Sequence, residues 1–201
     1  MSEQNASFVA RNEDPDSTAD EDRLRLLEML RERSFQRRRV VLSSGRESDF
    51  YIDCKPSVLS AEGHYRLGRV FLLRVPKEAV AAGGMTLGAD PLASAVSYAS
   101  HLAGRPLDAF IVRKEPKGHG TGRWIESPPI PEGAPVVVLE DVVTTGASTI
   151  RAIERVREAG LEPVKVIALV DRLEGGREAV EKTGVPLDVV FDRKDFIPDD
   201  P

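Results

Sequence analysis

Short apolar runs, separated by stretches with helical periodicity, constrain this chain more than any other feature. From residue 60 onward the runs fall at 79–82, 109–112, 136–139 and 164–170, with a weaker one at 187–191. Helix-like segments at about 61–74, 89–103, 147–159 and 174–183 alternate with them. The runs at 136–139 and 166–170 show no polar alternation, which is how strands buried on both faces of a parallel sheet read. Strand–helix alternation of this kind requires right-handed crossovers. It therefore predicts an α/β fold built on a doubly wound, mostly parallel sheet. In open sheets of that type ligands bind beyond the carboxyl ends of the strands, so the residues that follow each run are where chemistry is expected.

Ahead of this core the grammar differs. Residues 1–19 lack periodicity and are rich in Ser, Asn, Asp and Glu, and are expected to form a disordered or loosely held tail. Residues 20–60 are expected to form a small N-terminal hood. In it Asp20 would cap a helix whose Leu24, Leu26, Leu27, Met29 and Leu30 recur at helical spacing to about Arg33. Two β-like runs at 39–42 and 50–53, joined by Ser43-Ser44-Gly45-Arg46, read as a hairpin. Residues 61–201 would be the α/β core, with a proline-rich loop at 128–135. The 201 residues carry a net charge of -5, which argues against a nucleic-acid partner. No run approaches the roughly 20 apolar residues that cross a bilayer, and acidic Glu3, Glu13, Asp14 and Asp16 do not suit a signal peptide. Cys54 is the single cysteine and has no disulfide or metal-ligand companion. Together these point to the cytoplasm.

The densest chemistry lies in residues 136–149, VVVLEDVVTTGAST. A buried strand ends in two adjacent carboxylates, and a hydroxyl-rich loop then opens a helix. Gly146 permits a tight turn and close backbone approach. Free amides at the helix start, with the hydroxyls of Thr144, Thr145, Ser148 and Thr149, can cage a phosphate. Glu140 and Asp141 would repel that anion; they suit neutral hydroxyls, a Mg ion or a developing positive charge. Carboxylates beside a phosphate cradle match a sugar phosphate. A bland reading, in which the acids cap a helix and the threonines are ordinary turn residues, covers the acids but not the whole string. The spacing and lysine of a Walker A loop are absent.

This string resembles the phosphoribosyl pyrophosphate motif of type I phosphoribosyltransferases. The resemblance implies that Glu140 and Asp141 bind the ribose 2′- and 3′-hydroxyls, and that Thr144, Thr145, Gly146, Ala147 and Ser148 bind the 5′-phosphate. A second stretch at 113–123, RKEPKGHGTGR, holds four fixed cations and a histidine against one acid, with three glycines. Such a loop suits closure over pyrophosphate, whose charge grows as the C1′–O bond breaks. It is similar to the catalytic loop of the orotate phosphoribosyltransferases, and that likeness makes Lys117, Arg113, Lys114 and His119 the expected catalytic ligands of pyrophosphate. It also implies a homodimer in which the 113–123 loop closes over the neighbouring active site.

Three further stretches agree. Residues 42–51, LSSGRESDFY, resemble the family's N-terminal substrate segment, placing Tyr51 against orotate; packing in the hairpin core is the alternative for that ring. Residues 171–176, DRLEGG, resemble its Asp-Arg turn, so Arg172 would read the flat, anionic base, unless it only pairs with Asp171 or Glu174. The loop at 83–91 would face pyrophosphate, with Asp90 holding Mg2+ through water or capping a helix. Ser43 and Leu87 are uncharged where many members carry lysine. The resemblance spans about residues 23–196. It implies transfer of the 5-phosphoribosyl group from 5-phosphoribosyl 1-pyrophosphate to orotate, giving orotidine 5′-monophosphate and pyrophosphate, in de novo pyrimidine (UMP) biosynthesis. A phosphoribosyltransferase for another base, and a non-enzymatic sensor of the same donor, are the competing readings.

Overall fold

The structure, a computed structural model, describes residues 15–41, 47–116 and 124–198. Six strands form the main sheet: β3 (Ala81–Met85), β4 (Asp108–Val112), β5 (Ile125–Glu126), β6 (Pro135–Val143), β7 (Glu162–Asp171) and β8 (Leu187–Asp192). Their order is β5-β4-β3-β6-β7-β8. Every pairing is parallel except that of β5 with β4. Strands β1 (Phe35–Val41) and β2 (Glu47–Ile52) pair antiparallel in a separate two-stranded sheet.

Successive residues of the central strands feed two different cores, as strand geometry requires when both faces are covered. Val137 and Leu139 of β6, with Ile167 and Leu169 of β7, pack with Leu26, Leu67 and Val96. These last belong to helices α1 (Pro15–Arg33), α3 (Ala61–Leu72) and α4 (Asp90–Leu102). Val136, Val138, Val166 and Ala168 point the other way, onto Ile153, Val156 and Val180 of α5 (Ala147–Glu158) and α6 (Gly176–Glu181). The expected doubly wound, mostly parallel architecture is what the chain adopts.

Several boundaries differ from the sequence reading for physical reasons. Helix α1 starts at Pro15, five residues before the cap expected at Asp20; proline is well placed in a first helical turn. Residues 1–14 lie outside the described residues. β3 runs to Met85, so Gly83 and Gly84 are strand residues, not the start of a loop. A Cβ at Gly83 would strike the Phe110 carbonyl, and one at Gly84 would strike that of Leu139. Glycine is used here because neighbouring backbones come too close for a side chain. Pro135, expected in the loop, begins β6, a strand position where its missing N–H is tolerated. Helix α6 starts at Gly176 after Gly175, whose φ of 90° sets the turn. Short elements that carried no periodicity signal were not foreseen: α2 (Lys55–Val58), β5 and α7 (Arg193–Phe196). The last is held by a reciprocal cap between Asp192 and Asp195. Among the described residues no helix is long and apolar enough to cross a membrane.

Candidate active site

The carboxyl end of β6 carries both acids. Glu140 is only 5% exposed, and its Oε2 accepts hydrogen bonds from the Ser148 hydroxyl at 2.8 Å and the Thr149 hydroxyl at 2.7 Å. Burial, and then the adjacent Asp141 carboxylate, push the Glu140 carboxyl up to about 7. Asp141 is half-buried and accepts the Val142 amide at 3.0 Å. Its carboxylate lies where a side chain at Gly88 would otherwise sit. The loop after β3 is thereby pressed against the carboxyl end of β6.

Helix α5 opens directly behind the acids. Gly146 takes a φ of 81° and stands at the helix N-cap, with no side chain capping the first turn and no acid within it. Its amides are therefore turned outward with the positive end of the helix dipole, a ready anion cradle. Thr144 and Thr145 are half-buried beside it, and Ala147 is exposed. The hydroxyls of Ser148 and Thr149, expected to help cage phosphate, donate to Glu140 in the structure.

Beyond β3, the Thr86 amide donates to the Val112 carbonyl at 2.9 Å, and the Thr86–Leu87 peptide is cis. Asp90 is the first residue of α4; the cap position belongs to Ala89, so the capping alternative for Asp90 does not hold. Asp90 Oδ2 accepts the Thr86 hydroxyl at 2.7 Å. Its Oδ1 is buried and has no partner among the described residues, an atom suited to water or a cation. Among the described residues no three His, Cys, Asp or Glu side chains gather as a metal cage. The donor set thus fits a Mg ion held chiefly by ligand oxygens and water, with one protein carboxylate nearby.

Arg113 and Lys114 follow β4, whereas Lys117 and His119 lie outside the described residues. Arg113 is tied to the root of this segment. Its Nη1 pairs with Glu126 at 3.1 Å, its Nε donates to the Glu115 carbonyl, and its amide donates to the Trp124 carbonyl at 2.8 Å. The Trp124 ring is covered by the Arg155 guanidinium of α5, 3.6 Å from the ring centroid. Lys114 is exposed.

Arg172, 8% exposed, follows β7 and reaches the hairpin. Its Nη2 donates to the Phe50 carbonyl at 2.8 Å and to the Ser48 hydroxyl at 3.1 Å, and pairs with Glu174 at 2.9 Å. Its Nε is buried without a partner among the described residues. The local pair with Glu174 is therefore real, yet part of the guanidinium remains uncommitted. Phe50 faces a cluster with Phe35 and Phe196. Tyr51, next along β2, points to the opposite face. The Arg38 guanidinium stacks on the Tyr51 ring at 3.9 Å, so that ring is not part of the hairpin core. Sequence reasoning missed Arg38, the Phe50 carbonyl and Arg193, which pairs with Asp49 at 2.5 Å. None is marked by spacing; Arg38 sits in an unbroken run of three arginines, 37–39. Cys54 is fully buried, and burial raises its thiol well above the usual range.

Comparison with known proteins bears on this geometry. The model for the phosphoribosyl transferase domain matches residues 79–191. An orotate phosphoribosyltransferase of Sorangium cellulosum is 56% identical over 185 residues, covering 90% of this chain and 95% of the relative. One from Aquifex aeolicus is 49% identical over 151 residues, 75% of this chain and 82% of the relative. The crystal structure of Mycobacterium tuberculosis orotate phosphoribosyltransferase with Fe(III) dicitrate superimposes with a TM-score of 0.76 at 41% identity, covering 87% of this chain and 98% of that one. The same enzyme in complex with 5-phospho-α-D-ribosyl 1-diphosphate gives 0.71 at 32% identity, covering 94% and 99%. On these matches this chain belongs to the phosphoribosyltransferase family and, within it, to the orotate phosphoribosyltransferases.

Proposed function

We propose that the chain transfers the 5-phosphoribosyl group from 5-phosphoribosyl 1-pyrophosphate to orotate, releasing pyrophosphate and orotidine 5′-monophosphate for UMP synthesis in the cytoplasm. One observation carries the reading: an acid pair at the end of a buried strand stands directly before an uncapped helix N-terminus, in a chain more than half identical to a curated relative of that activity.

In this reading the first-turn amides of α5, that of Ser148 included, receive the 5′-phosphate together with Thr144, Thr145, Gly146 and Ala147. Glu140 and Asp141 accept from the ribose hydroxyls, orient C1′, and offset the positive charge that develops there. Arg172, anchored on the Phe50 carbonyl, presents its remaining donor capacity to the orotate carboxylate and carbonyls. Tyr51 offers a ring face to the base. Lys117, Lys114, Arg113 and His119 stabilise the departing pyrophosphate, Arg113 by exchanging Glu126 for the anion. Bound Mg2+ would supply charge neutralisation at the pyrophosphate, with the free oxygen of Asp90 as its contact on the chain. The base nitrogen attacks C1′ opposite the leaving group, so no covalent enzyme intermediate is needed.

A second copy completes the site. Helix α4 exposes Tyr98 and Leu102, each 65% accessible, beside a groove of about 510 Å³ lined by Ser94, Ser97, Tyr98, His101, Ala109 and Ile111. An exposed apolar face of this kind suits a protein partner. It adjoins β4, from whose end the basic segment departs, and we assign it to the homodimer in which that segment serves the neighbouring site. The direct test follows orotate absorbance with donor and Mg2+ present. Orotate should disappear with matching pyrophosphate release; folded protein that consumes none would overturn the assignment.

A further inference from the structure

The two hydroxyls on Glu140 are not accounted for by phosphate binding. Both meet the same carboxylate oxygen, Oε2, from consecutive residues of the first turn of α5. Thr149 is fully buried, so its hydroxyl has no solvent to turn to, and its donor is committed to the acid. An oxygen that receives two hydrogen bonds is held as an acceptor, with its position fixed in two directions. The arrangement also links the two halves of the site. Glu140 lies on β6, the hydroxyls lie on the helix whose amides form the anion cradle, and the distance between sugar acid and phosphate cradle is set where they join.

We propose that Thr149, assisted by Ser148, is a positioning residue for the ribosyl donor: the hydroxyls clamp Oε2 of Glu140 and leave the rest of that carboxylate aimed at the ribose. This inference rests on the donor assignment made above. Resistance to protonation follows from the same contacts, because hydrogen bonds to the charged form oppose the effects of burial and of Asp141 on this carboxyl. A purely structural role, tying α5 to β6, would make different demands on the variants.

The test is calorimetric binding of Mg-5-phosphoribosyl 1-pyrophosphate to wild type, Thr149→Val, Thr149→Ser, Ser148→Ala, Glu140→Ala and the Glu140→Ala/Thr149→Val double variant. Loss of one hydrogen bond to a charged group should weaken donor affinity about tenfold in Thr149→Val. Thr149→Ser should restore it to within about twofold, because serine keeps the donor. In the Glu140→Ala background the valine should add almost nothing, since the hydroxyl acts only through the acid. A tenfold loss that persists without Glu140, or a serine variant that fails to rescue, would overturn the inference while leaving the donor assignment intact. Wild type that does not bind the donor would instead overturn the assignment itself. Should the valine variant not fold, Ser148→Ala in the presence and absence of Glu140 repeats the cycle at a half-buried position, with an expected loss of about fivefold and the same two overturning results.

Discussion

At the end of β6, ten consecutive residues supply two acids, a left-handed glycine, and a helix start with open amides; at the end of β4, the chain supplies charge on a segment whose two roots are tied to each other. The first region is built by its own backbone. Its acids are fixed by Thr149, Ser148 and the Val142 amide, and its glycine by a φ that other residues rarely adopt. The second is secured by the short pairing of β4 with β5, the Arg113–Glu126 ion pair and the Arg155–Trp124 stack. A preformed cradle suits a group that binds and stays, whereas cations brought by a tethered segment suit charge that appears only as a bond breaks. On the proposed function, the difference assigns donor affinity and chemical rate to separate pieces of chain.

Variants can break that division. The largest effect is expected from Lys117→Ala, with kcat reduced by roughly 10²-fold and donor affinity changed far less. Steady-state kinetics with kcat within about threefold of wild type would remove Lys117 from the chemistry. Asp141→Asn should do the reverse, weakening binding of the Mg-bound donor about tenfold. Calorimetry showing unaltered affinity would dissociate the β6 acids from the sugar.

The smallest effect concerns stability. The Glu140 carboxyl, raised from about 4.5 to about 7, binds its proton more tightly in the folded chain than in the unfolded one. Its favourable contribution is full below pH 4.5 and is lost as pH rises through 7. Glu140→Gln removes the cost of burying the charge and keeps a carbonyl to accept from Ser148 and Thr149. The melting temperature should therefore rise by about 5 °C at pH 8, with the gain vanishing near pH 4. An equal shift at both pH values would show that the acid is not strained by burial, and would bring the cradle closer in character to an ordinary surface turn.

How much of this was legible follows from distance along the chain. The β6–α5 turn could be read because its parts are contiguous and each residue type has a local reason. Arg172 could be located after its strand, but its hold on Phe50 spans 122 residues, and nothing in the sequence marks that pairing. The β3 glycines misled because glycine usually signals a turn; here the Phe110 and Leu139 carbonyls decide, and they belong to other strands. Ser148 and Thr149 were read as phosphate ligands by proximity to the loop, and only the three-dimensional approach of β6 shows their hydroxyls directed to the acid. Lys117 and His119 rest on the likeness of their stretch to the family.

The stack at the root of the basic segment has a practical corollary. The chain contains one tryptophan, and its indole lies against Arg155, on the same helix whose opening turn forms the uncapped anion cradle. Intrinsic emission is thus a single-point optical signal seated between the two regions, and ligand titrations or rapid-mixing traces can be recorded on unlabelled protein without sorting one fluorophore from another.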